Sequence, residues 1–205
     1  DNLRSLDWAT GGVNIAVESQ GPDRRADSIQ AFMARYLGDN QTLDVLIDDD
    51  RSGEAADLVG VRVDGRDLHF TLVHCRYSSK PDAGSRLKDL YEVCGQAMRG
   101  ARWRDNAALP LLEHLDRRAV GYTRRFGGTA FEIGNREILF RIRQQASLLF
   151  PRFTTIIAQP GLSIGSASDE QLRLIAGAAS YVQTVTKGAL HRRRWVMGQD
   201  FGRPW

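Results

Sequence analysis

The chain has 205 residues, 42% hydrophobic and 26% charged, with a formal net charge of +3, which suits one domain with a real core and excludes a disordered or fibrous chain. No apolar run approaches the ~18 residues of a membrane span, and residues 1–20 are too mixed and polar for a signal peptide. Cys75 and Cys94 sit in apolar-patterned segments, so they read as buried thiols of a reducing, cytoplasmic protein rather than as a disulfide or a structural zinc site.

The small net charge hides an asymmetry. Residues 1–98 carry 11 Lys and Arg against 17 Asp and Glu, net −6, and residues 99–205 carry 17 against 8, net +9. The cations are almost all Arg, the lysines being Lys80, Lys88 and Lys187. A basic half beside an acidic half suits a protein that sets a metal next to a polyanion; solvated helix faces are the plain alternative. Because the chain starts at Asp1, it reads as a domain excised from a longer protein.

In chain order, residues 22–38 predict a helix, with Ile29, Phe32, Met33, Tyr36 and Leu37 on one face and Gly38 at its stop. Residues 1–40 then form an N-terminal helical part, and 41–205 the α/β core of the same domain. Residues 43–47 read as a short strand, and an acidic loop with Asp48, Asp49, Asp50 and Glu54 follows. Residues 56–63 and 68–77 are hairpin strands joined at Asp64-Gly65, a strong two-residue turn signal. The clearest helix is 85–102, where Leu87, Leu90, Cys94, Ala97 and Ala101 repeat at helical spacing. Residues 107–119 and 135–150 predict further helices, and 152–159 a strand broken by Pro160-Gly161. Ser168 and Gln171 are a capping box opening a helix to about 186, and 193–197 read as a last strand. The expected fold is mixed α/β, a central sheet with a β-hairpin core flanked by helices. No GxGxxG or Walker A loop anchors a nucleotide.

The hairpin carries the chemistry. Asp57 opens its first strand, and the second ends in His74 and Arg76. Hydrolysing a phosphodiester needs a divalent ion to polarise the phosphate and activate water. A carboxylate on one strand and a ligand on the next, roughly 5 Å across the ladder, supply such a site. Asp57 and His74 are the expected metal ligands, His tilting the preference toward Mn²⁺. Alternation places Leu72, His74 and Arg76 on one face, expected to reach a cleft, and Val73, Cys75 and Tyr77 on the other. Lys88, Glu92, Gln96 and Arg99 form a polar stripe on the following helix. Glu92 and Gln96 are placed to orient ligands or water, and Lys88, Arg99, Arg102 and Arg104 to bind nucleic acid. For Asp57 the plain alternative is a cap residue, for His74 a core histidine, and for the cations a solvated face.

This layout resembles the PD-(D/E)xK nuclease superfamily, the restriction-endonuclease-like fold. Residues 46–57 (Leu-Ile-Asp-Asp-Asp-Arg-Ser-Gly-Glu-Ala-Ala-Asp), 72–79 (Leu-Val-His-Cys-Arg-Tyr-Ser-Ser) and 89–97 (Asp-Leu-Tyr-Glu-Val-Cys-Gly-Gln-Ala) carry the likeness. Residues 156–163 and 168–175 extend it over most of the chain. The same stretches are similar to a nuclease-like domain at the C-terminus of bacterial DEAD/DEAH-type helicases, several linked to phage defence. The resemblance implies a DNA endonuclease-type activity with Mg²⁺ or Mn²⁺ as cofactor, a helicase in the same or another chain as partner, and no membrane, with a homodimer left open. Asp57 matches the motif Asp, His74 stands where Asp or Glu is usual, and Arg76 stands where Lys is usual. Gln96 resembles the helix Gln of RecB-like nucleases, but Gly100 stands where Tyr follows it. Glu54 or Glu18 matches the helix-borne acid. Arg stays protonated and cannot act as a base, so the alternative is a weak or inactive nucleic-acid-binding domain of a helicase. In that case Arg117, Arg118, Arg124 and Arg125 join the candidate phosphate contacts, and Trp103 either stacks on a base or anchors a helix end.

Gly161-Leu-Ser163-Ile-Gly165 matches GxSxG, but an elbow needs a helix right after the serine, and the capping box begins near Ser168. A serine hydrolase is therefore set aside.

Overall fold

The computed structural model describes residues 3–105 and 108–185. The expected strand at 193–197 lies outside the described residues. The first helix, α1, spans Ile29–Asn40. It starts seven residues later than its apolar spacing suggests because Ser28, not the stretch after Pro22, supplies the cap: its hydroxyl accepts from Ala31 N–H at 3.1 Å. Residues 22–27 are turns and irregular backbone, with Arg24 at φ +54°. Of residues 3–40, then, only α1 is helical.

Strand β1 (Val45–Asp48) leads through the acidic loop to β2 (Leu58–Asp64) and β3 (Asp67–Cys75). The β2–β3 hairpin turns at Asp64–Asp67 around Gly65, φ +58°, where glycine takes a left-handed backbone freely. Helices α2 (Lys88–Gly100), α3 (Arg102–Asp105) and α4 (Ala108–Phe126) follow. Next come β4 (Phe131–Ile133), α5 (Arg136–Gln145), β5 (Phe150–Ala158) and α6 (Asp169–Val185). The α6 cap is reciprocal: Gln171 N–H donates to Ser168 Oγ, and Ser168 N–H to Gln171 Oε1.

The five strands form one mixed sheet in the order β4-β1-β2-β3-β5. The pairs β1–β2, β2–β3 and β1–β4 are antiparallel, and β3–β5 is parallel. The expected α/β class, a sheet built on a hairpin and flanked by helices, is thus what the chain forms. The short strand β4 is an addition that residues 131–133 did not signal.

Both faces of the sheet are buried. Leu46, Leu58, Val73, Cys75 and Ile156 pack against Ile29, Met33 and Leu37 of α1 and against Trp8. Val45, Ile47, Val59, Phe70 and Leu72 pack against Leu111, Leu112 and Leu115 of α4. Helices α2 and α6 join over Ile157 through Val93, Cys94, Ile175 and Ala178. A sheet covered on both sides has no cleft face along its strands, so Leu72 and His74 enter the core. Cys75 and Cys94 are both buried free thiols. Among the described residues, no helix is long and apolar enough to cross a membrane.

Candidate metal centre at the open end of the hairpin

The loop between β1 and β2 leaves the sheet at Asp48 and returns at Asp57, two charged positions on the interior side of the fold. Asp57 is 2% exposed. Its Oδ2 accepts from Cys75 N–H at 2.8 Å, bridging the loop to the last residue of β3. Its carbonyl accepts from Asp49 N–H at 3.0 Å and from the Gln30 side-chain amide at 3.2 Å.

Three carboxylates meet here. Asp50, Glu54 and Asp57 each offer an oxygen, and these ligand atoms lie within 4.8 Å of one another. Glu54 also accepts from Arg51 N–H at 2.8 Å, which closes the loop into a tight turn, with Gly53 at φ +86°. Burial is the main force that pushes the Asp57 carboxyl well above the usual range; one backbone N–H opposes it, and Glu54 and Asp50 add to the rise. Burial also raises Glu54, the Arg51 N–H opposing it and Asp50 adding to it. Such a set prefers a proton or a cation to three bare negative charges. All three donors are hard oxygens, the donor class of Mg²⁺, Mn²⁺ or Ca²⁺, so the residues suit the ion that the sequence resemblance implied.

His74 does not join them. Directly across the hairpin from Asp57 by register, it is 2% exposed, and neither ring nitrogen has a partner. Burial, with help from Arg99, pushes its pKa down to about 3. A Cβ built on Gly100 would lie 2.9 Å from both His74 Nε2 and the Ala55 carbonyl oxygen. The ring is therefore sealed beneath the end of α2. The expectation that it faces a cleft is corrected, and Asp50 and Glu54 stand beside Asp57 instead.

Arg76 leaves the sheet just beyond β3. Its guanidinium pairs with Glu92 on α2 and with Glu18 Oε2 at 3.2 Å, and it lies 4.3 Å from the Tyr77 ring centroid. Glu18 accepts from Tyr77 N–H at 3.1 Å as well. Its carboxyl is raised mainly by burial, against Tyr77 and Arg76, with Asp50 raising it further. Glu18 thus holds the Arg76 guanidinium and the Tyr77 N–H together. Gln96 is partly buried, with an unpartnered Oε1.

The candidate nucleic-acid contacts are dispersed. Arg99 and Arg102 are exposed at the end of α2 that packs on the acidic loop. Lys88 is exposed at the opposite end, about 18 Å away at 1.5 Å per residue. The Arg104 side chain lies outside the described residues. Trp103 packs against the core and, with its centroid 4.7 Å away, against His114, so it is a core anchor. Arg118, read from sequence as a phosphate contact, is bonded to Asp49 at 2.6 Å instead.

Two features escaped the sequence reading. Asp50 lay in plain view within the acidic run, and its spacing to Glu54 and Asp57 was the available signal. The Asp49–His114–Arg118 network had none, its members lying 65 and 69 residues apart.

No protein-family model, curated protein or solved structure matches the chain.

Proposed function

We propose that this chain is a metal-dependent phosphodiester hydrolase acting on nucleic acid, DNA favoured. The convergence of Asp50, Glu54 and Asp57 carboxylate oxygens within 4.8 Å carries this reading. These three residues would hold Mg²⁺ or Mn²⁺, which supplies charge to the phosphate and lowers the pKa of a bound water. Asp57 is the best fixed of them, because the Cys75 N–H ties it to the sheet. Glu54 and Asp50 come from the loop, where Glu54 is held by the Arg51 N–H. Glu18, bonded to Arg76, would accept a proton from water in this reading; its raised carboxyl suits that role. Arg76 stays charged and answers negative charge developing on the phosphate.

The restriction-endonuclease-like label, the helicase and phage-defence setting, the cytoplasmic location and the option of a homodimer rest on the sequence reading. The mixed sheet with an acid-bearing hairpin is in keeping with that label. The test is titration of Mn²⁺ into metal-free protein, followed by incubation with a labelled DNA duplex and single strand. Wild type should bind the ion and cut. Absence of Mn²⁺ binding, or an Asp57→Asn variant that cuts as well as wild type, would sink the reading.

One observation favours the second reading, a nucleic-acid-binding domain without cleavage. Arg76 is held by two carboxylates, Glu18 and Glu92, and cannot take a proton from water. Salt-dependent DNA binding with no cleavage in Mg²⁺ or Mn²⁺ would establish it.

A further inference from the structure

The loop that carries the carboxylates also carries a cation held in place. The Arg51 guanidinium carbon lies 4.1 Å from the ring centroid of Phe126 and 4.9 Å from that of Tyr122, both on α4. The rings are tilted against each other with centroids 5.1 Å apart, and Phe126 is 36% exposed. The Arg51 backbone is pinned too. Its N–H donates to Glu54, and its carbonyl accepts from Glu54 N–H at 3.0 Å and from Arg118 at 3.5 Å. Its φ is +150°, a value that non-glycine residues avoid; such strain gathers at ligand clamps.

The neighbouring arginines are committed to carboxylates: Arg24 to Glu132 and Asp48, Arg118 to Asp49, and Arg76 to Glu18 and Glu92. Arg51 pairs with no carboxylate among the described residues. A guanidinium stacked on rings keeps its in-plane N–H donors free, in the fork that matches a phosphate. An acidic loop repels a polyanion, and Arg51, next to Asp50 in the chain, adds a cation to that loop.

We propose that Arg51, braced on Tyr122 and Phe126, binds a backbone phosphate of a nucleic-acid strand next to the carboxylate trio. Exposed Arg125, 5.4 Å from the Phe126 ring, is the next contact along the strand. The substrate class is then a polymer of phosphodiesters, not a phosphomonoester. This rests on the reading of Asp50, Glu54 and Asp57 as the hydrolytic metal centre.

The experiment measures binding, not activity. Fluorescence anisotropy of labelled single-stranded DNA and RNA oligonucleotides of two sequences, in Ca²⁺ and over a salt series, is read for wild type, Arg51→Gln, Arg51→Gly and Phe126→Leu. Arg51→Gln should weaken binding roughly 10-fold on every sequence and lower the salt slope by about 0.7, the value for one phosphate of a single strand. Phe126→Leu should weaken binding a few-fold with the slope unchanged, because the charge remains. Arg51→Gly should lose binding as far as Arg51→Gln does, because the cation is gone. Wild-type affinity and slope in Arg51→Gln overturn the proposal, as does a loss confined to one base sequence. The two readings fail separately. Wild type that takes up Mn²⁺ while Arg51→Gln binds the strand unchanged sinks only the Arg51 contact. Wild type that shows the Arg51-dependent salt slope but takes up no Mn²⁺ sinks only the metal centre.

Discussion

Asp49 and Asp50 are neighbours in one loop and have opposite surroundings. The Asp49 side chain is wholly buried and answered on every side. It accepts from Arg118 Nε at 2.6 Å and from Ala55 N–H at 2.7 Å, and it meets His114 Nε2 at 3.0 Å. Arg118 goes on to bond the carbonyls of Asp49 and Ser52. Asp50 faces two more acids and has no such company. Two like charges 4.8 Å apart repel by about 3 kcal/mol at an effective dielectric of 20. The loop tolerates that repulsion because Asp49 clamps it to α4 from inside. A carboxylate paired with a cation holds the fold, and three carboxylates with no cation paired to them among the described residues form a group that could hold a metal ion.

That division can be broken from either side. The largest expected effect is on function: Asp57→Asn should lower metal-dependent cleavage at least ~100-fold, about 2.7 kcal/mol of activation energy, measured as single-turnover rates in Mn²⁺. Its thermal stability should hold or rise, because the buried charge it removes is one the fold disfavours. A large loss of stability would mean that Asp57 serves the fold, as Asp49 does.

Next in size, Asp49→Ala should cost about 3 kcal/mol in urea unfolding, because it removes a wholly buried carboxylate that pairs with the partly buried Arg118 and accepts from Ala55 N–H. Mn²⁺ affinity should fall only as far as the loop loosens. Near-wild-type stability would erase the contrast between the two acids. Gly100→Ala should cost about 1–3 kcal/mol, since its Cβ would press on the Ala55 carbonyl and the His74 ring. It should also weaken Mn²⁺ binding by shifting residues 54–57. Unchanged affinity in a calorimetric titration would show the trio to be independent of α2.

The smallest effect concerns His74. Its folded pKa is about 3, below the usual 6.5. The folded ring therefore stays neutral while the unfolded chain takes up a proton below pH 6.5. Stability from this group is present above pH 6.5 and is lost as pH falls toward 3. His74→Leu should remove that loss and stabilise the protein by ~2 kcal/mol near pH 5, less at pH 7.5, read from melting temperatures. Mn²⁺ affinity should be unchanged at pH 7.5. A drop in affinity would restore His74 as a ligand and break the assignment to Asp50 and Glu54.

Asp48 titrates with the opposite sign. Burial, with Asp50 adding, pushes it up to about 6 against the Gln20 amide, the Asp50 N–H and Arg24. Its contribution to stability is full below about pH 4 and is lost as pH rises through 6. The two trends cross, so the variant comparison at His74 is the clean measurement.

The sequence by itself determined the class of fold and most of its elements. Strand alternation, the Asp64-Gly65 turn, the Ser168–Gln171 box and the spacing of Leu90, Cys94 and Ala97 are local signals, and local signals survive without the fold. They also put Asp57 at the mouth of the hairpin. Only the tertiary structure decided which polar groups are answered and which are left open. Ser28 rather than the Pro22 stretch begins α1, and β4 exists because β1 accepts it across more than 80 residues. His74 shares the hairpin register with Asp57, yet α2 seals it in through a glycine 26 positions away. Asp49 is neutralised from α4, and Asp50 is not. Periodicity reports what a residue's chain neighbours demand. A carboxylate's role depends on the charge and hydrogen-bond donors that distant segments bring to it.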